Sequence, residues 1–160
     1  MERFAEREEP GTRTHVALVQ HPLHPMLVNF PIAFLTTVVL SDLAYIYSGA
    51  SFWAGMSFWL LAGGTVMGVL AGITGTVELL AVKRIRRRTA SWSHFVAAVM
   101  LLSVAATNCG WRIDQPEAAI TPWGLILSIM GLSFVGVAAW LGGELVFAHH
   151  VGIHPGEGEE

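Results

Sequence analysis

Three ionisable side chains stand inside otherwise apolar stretches of this chain: His24, Glu78 and His94. Two imidazoles and a carboxylate are a first shell for a divalent transition metal. Two imidazoles on facing helices can instead hold a haem iron from both sides. The same groups can move protons, or can hydrogen-bond to one another and only tie helices together. His24 belongs to the stretch HPLHPMLVNFPI, residues 21–32, in which His21 and His24 are each followed by proline and Pro31 interrupts the run. Ionisable groups are costly in lipid, so their gathering marks a site by default.

The elements that must position them are apolar and long. Apolar residues make up 53% of the 160-residue chain and charged residues 13%, against about 25% charged in soluble domains. The charges are confined mainly to residues 2–13, 83–88, 112–117 and 157–160. About 20 apolar residues cross the hydrocarbon core of a bilayer. The expected fold is an all-α membrane protein, an antiparallel bundle of four transmembrane helices at about 22–47, 52–82, 92–111 and 122–147. These lie in a membrane domain of residues 16–150, with a polar, mobile segment at 1–15 and an acidic flexible tail at 151–160. Residues 1–14 lack the form of a cleavable signal, so the first span is expected to serve as its own insertion signal.

Several function classes drop out. The single cysteine, Cys109, allows neither an internal disulfide nor a CxxCH haem attachment. No basic surface suggests nucleic acid. No phosphate loop, hydrolase motif or nucleophile–base pair is present, so the chain is not expected to be an enzyme on its own.

Lys and Arg set the expected orientation. Lys83, Arg84, Arg86, Arg87 and Arg88 fill the loop between the second and third helices, which is read as residues 83–91. The loop between the first and second helices has no basic residue, and that between the third and fourth has only Arg112. Both termini and the basic loop are therefore expected on the cytoplasmic side of a bacterial inner membrane.

Depth follows from the hairpins, because residues equidistant from a turn lie at similar height. Glu78 and His94 mirror each other about residue 86, and His24 and Glu78 about residue 51. All three are thus expected at one level, with Ala138 at the equivalent height on the fourth helix. His21, Glu144 and His149 form a second polar set nearer that surface. Asp42 lies 18 residues after His24, about 27 Å along the helix, and is level with Arg112. An Asp42–Arg112 ion pair with Asn108 nearby is expected to clamp the far end. Gly64, Gly68 and Gly72 form a smooth strip for helix packing or dimerisation. Pro31 should kink the first helix and free the Leu27 carbonyl.

HPLHPMLVNFPIAF at 21–34, the acidic Glu78, SHFVAAVMLL at 93–102 and GGELVFAHHVGI at 142–153 together resemble a known family. It is the bacterial four-helix predicted membrane protein family, domain of unknown function 2231. The resemblance covers about residues 16–153 and implies a four-helix membrane domain with no established activity. Its polar positions fall on His21, His24, Glu78, His94, Glu144 and His149. Aspartate is usual where Glu78 stands, and glycine where His150 stands. Family members are sometimes joined to or encoded near redox proteins, and the bundle is similar to small two-haem cytochrome modules.

Two readings result. In one, the chain is a redox-associated membrane subunit whose His24, Glu78 and His94 hold haem b or a divalent transition metal and serve a redox partner protein. The sequence offers no second histidine pair near the other face, so electrons could not cross the membrane through this chain alone. In the other, it is a structural or accessory membrane protein, possible as a homodimer, whose polar cluster only fastens the helices.

Overall fold

The computed structural model describes residues 17–18 and 21–147. A two-residue antiparallel pairing of Ala17–Leu18 with His21–Pro22 leads into the bundle. Everything that follows is helical or turn. Four helices are long and apolar enough to cross a membrane: Leu23–Ser48, Ser51–Ala81, Thr89–Arg112 and Ile120–Phe147. They are called here the first to fourth spans.

Local sequence explains the breaks. The first span is interrupted at Val28 between helical segments Leu23–Leu27 and Asn29–Ser48. Pro31 has no N–H to give the Leu27 carbonyl, so the ladder loses a rung there. Gly49 ends the first span in the left-handed conformation (φ 66°), and its N–H donates to the Tyr45 carbonyl at 2.8 Å. A residue without Cβ takes that conformation at little cost. The second span then starts at Ser51.

The basic connection departs from a simple loop. Lys83–Arg86 forms a short helix, and the third span already begins at Thr89. The segment contains neither glycine nor proline, and lysine and arginine are good helix formers. Extended backbone at Val82 and Arg88 separates the three helical pieces.

The spans pack in cyclic order, first on second, second on third, third on fourth and fourth on first. The first and third spans are therefore diagonal partners, as are the second and fourth. Leu35, Val38, Leu61, Leu101, Ala105 and Val135 form the apolar core between them. Leu40, Val66, Ile73, Ile129 and Trp140 point outward and are exposed. An apolar exterior of this kind is what a bilayer covers.

The glycine strip faces inward. A Cβ at Gly64 would lie 2.8 Å from Leu35 Cδ2 and 3.2 Å from Phe34 Cβ. One at Gly68 would meet Leu102, and one at Gly72 would lie 3.5 Å from the same side chain. The strip thus serves contacts with the first and third spans of its own bundle, and its inward-facing surface is not available to a second copy. Gly64→Ala should lower stability by about 1–3 kcal/mol through overpacking. Gly55→Ala, with nothing within 4 Å of its added methyl, should be neutral or stabilising by up to about 1 kcal/mol. Unfolding in detergent measures both, and equal effects would contradict this packing.

Candidate functional site

Two polar layers cross the bundle, one on each side of the apolar core, and each joins the diagonal spans. The layer away from the basic loop is built on Asp42 and Arg112, both fully buried at 0% exposure. Their contact is bidentate: Arg112 Nη1 donates to Asp42 Oδ1 at 2.6 Å and Nη2 donates to Oδ2 at 2.8 Å. Two flat groups matched in this way give directionality as well as charge attraction.

The remaining spans complete that layer. Ser57 of the second span donates to Asp42 Oδ1 and accepts from Arg112 Nη1 at 2.7 Å. Ser128 of the fourth span contacts Asp42 Oδ2 at 2.7 Å and accepts from Arg112 Nη2 at 2.9 Å. Asn108 accepts from Arg112 Nε at 2.9 Å, and its amide donates to Ser128 Oγ at 3.0 Å and the Gly124 carbonyl at 3.3 Å. All five guanidinium N–H groups have acceptors, and both carboxylate oxygens accept twice. Gly124 is required at this point, because a Cβ there would collide with the Ala119 carbonyl and lie 3.0 Å from Arg112 Nη2.

The layer nearer the basic loop is built on His24 and His94. Their ring centroids are 6.1 Å apart and the planes are nearly perpendicular, at 84°. His24 Nδ1 is 2.8 Å from the Ala71 carbonyl of the second span, and His94 Nδ1 is 3.0 Å from the Ala138 carbonyl of the fourth. A carbonyl oxygen only accepts, so both Nδ1 atoms carry hydrogen. In the neutral ring this leaves the lone pair on Nε2. Glycines make the seats: a Cβ at Gly75 would lie 2.8 Å from His24 Nδ1, and one at Gly142 would lie 3.2 Å from His94 Cε1.

The three-ligand arrangement does not form. Among the described residues no three His, Cys, Asp or Glu side chains gather as metal ligands. Glu78 is buried at 7% exposure, but His24 sits at Ala71–Gly75, short of it along the second span. The hairpin pivots at Gly49, not at residue 51, which shifts the mirror level away from Glu78. The same pivot brings Ser57, not singled out in the sequence, opposite Asp42. Around the last turn the mirror level does coincide, and His94 meets Ala138. Glu144 is exposed on the fourth span. His149 and the side chain of His21 lie outside the described residues.

Sequence reasoning singled out Asp42, Arg112 and Asn108 but missed Ser57, Ser128, Gly75, Gly124 and Gly142. The serines are isolated hydroxyls in apolar spans and carry a weak signal. The glycines carry none until the histidine rings and the Arg112 fork are placed against them.

Asp42→Leu and Arg112→Leu should each lose about 3–5 kcal/mol, since each strands the partner charge in the interior. The double substitution should cost less than the sum of the two. Chemical unfolding of the four proteins in detergent measures this; strict additivity would refute the pairing.

No curated protein and no solved structure matches the chain. The profile of one family, described as "Predicted membrane protein (DUF2231)", matches residues 20–155. That match spans most of the chain, including the described parts of both polar layers, and the protein is a member of this predicted membrane protein family.

Proposed function

We propose that the protein is a membrane subunit that ligates a transition metal, as haem b iron or as a bare ion, between His24 and His94. The observation that carries this reading is the matched pair of Nδ1 contacts to the Ala71 and Ala138 carbonyls. Such contacts fix the tautomer and orientation of metal-ligating imidazoles and leave Nε2 to the metal. Two nitrogens at about 2.0–2.1 Å from a shared ion lie roughly 4 Å apart, a separation compatible with ring centroids 6.1 Å apart. Two imidazoles with no third described ligand suit the two axial positions of haem iron better than a bare divalent ion, which wants three or four protein ligands. The group would supply one-electron chemistry to a redox partner protein. His24 and His94 would hold it, and Glu78 would contribute to the polarity of that end.

The reading includes a site in a bacterial cytoplasmic membrane, with the basic loop and both termini inside. The His24–His94 layer is then near the cytoplasmic face. The chain would exchange electrons on that side alone.

A second reading rests on the same contacts. Each histidine joins two spans through a backbone carbonyl, His24 the first to the second and His94 the third to the fourth. This fastens helices without any bound group.

Metal analysis and visible spectra of detergent-purified protein, never exposed to a nickel column, separate the two. Ligation predicts about one metal per chain, lost in His24→Ala and His94→Ala while both variants still insert. A fastener predicts no metal in the wild type and a lower unfolding midpoint in both variants. Metal retained at full stoichiometry in both variants would sink the ligation reading.

A further inference from the structure

The basic segment between the second and third spans does more than carry charge. Orientation during insertion depends on the number of lysines and arginines, not on how they are arranged. Here they are arranged. Ile85 is buried at 6% exposure and anchors the short helix Lys83–Arg86 against the bundle. Arg86 Nη1 reaches back to the Leu80 carbonyl at 3.1 Å. Trp92 Nε1 donates to the Arg86 carbonyl at 2.9 Å. The Arg87 and Arg88 N–H groups bond to the Lys83 and Ile85 carbonyls at 3.2 and 3.1 Å. The turn is thereby tied at both ends.

Lys83, Arg86 and Arg87 are exposed on this framework, and the Trp92 indole is 41% exposed beside them. The described carboxylates at this end are the buried Glu78 and the exposed Glu144, so cations predominate. Indole rings settle at the headgroup level of a bilayer, which places the cations where lipid phosphates lie. Guanidinium forks match phosphate oxygens two at a time.

We infer that residues 83–92 form a binding site for the phosphate headgroups of anionic phospholipids, with Lys83, Arg86 and Arg87 as the cations and Trp92 as the interfacial anchor. The site is independent of what His24 and His94 bind.

The test uses the full chain in a neutral detergent, reading its thermal unfolding midpoint and the lipids it retains in native mass spectrometry. Phosphatidylglycerol or cardiolipin should raise the midpoint, whereas phosphatidylcholine and inorganic phosphate should not. The rise should shrink in 0.5 M salt, where charge attraction is screened. K83Q/R86Q/R87Q should bind the anionic lipid roughly a hundredfold more weakly, at about fivefold per cation removed. Arg84 and Arg88 remain in that variant to direct insertion. If it nonetheless fails to fold, the salt dependence and lipid selectivity of the wild type decide alone. Equal shifts with phosphatidylglycerol and phosphatidylcholine, a shift unaffected by salt, or a folded variant with undiminished binding would overturn the assignment. Inorganic phosphate reproducing the whole shift would overturn it too, in favour of a soluble anion.

Discussion

The buried Asp42–Arg112 pair is the contact on which the rest of the bundle depends. Four helices that are apolar on nearly all sides gain little from choosing one rotation or register over another, because lipid tails are as apolar as their neighbours. A charged pair changes that. Removing either ion from water costs several kcal/mol, and only a geometry that satisfies every donor and acceptor offsets the cost. One register does so here. It places Asp42 opposite Arg112 across the diagonal, brings Ser57 and Ser128 in from the other two spans, and requires the bare backbone of Gly124 beside the guanidinium. The apolar core then packs where this layer puts it.

The register carries through the core to the opposite end. With the first and third spans fixed as diagonal partners, His24 and His94 face each other across the same axis. The two layers differ in how far their hydrogen bonds are used up. The Asp42–Arg112 layer is closed, since each polar group in it meets another. At the histidine layer the Nδ1 atoms are held by backbone carbonyls, and the chemistry left to the neutral rings is at Nε2. A closed network suits a lock. A pair of rings with fixed orientation and a lone pair each suits ligation, and that contrast is why the proposed function is placed at the histidines.

Much of this was legible in the sequence. The long uncharged runs fixed the number of spans, and proline, glycine and charge marked their ends to within a few residues. The level of Asp42 with Arg112 followed from helix rise and hairpin symmetry, because both groups sit about as far from their turns as the geometry assumes. His24 was harder. Its level depended on where the first hairpin pivots, and the left-handed residue Gly49, not the middle of the polar turn, sets that point. The helical character of Lys83–Arg86 was hidden because charge density was taken for a loop. The carbonyls of Ala71 and Ala138 could not be read at all, since every residue has one and only the fold decides which of them a ring reaches.

The most direct test of the functional account is the nitrogen NMR spectrum of the two rings. Protein labelled with 15N histidine, in lipid and at neutral pH, would be compared with His24→Ala and His94→Ala to assign the signals. The account predicts that both rings are neutral with hydrogen on Nδ1, and that the unprotonated Nε2 signals are the ones displaced when a metal or haem is added. Rings carrying hydrogen on Nε2, or Nε2 signals indifferent to every metal and to haem, would contradict it.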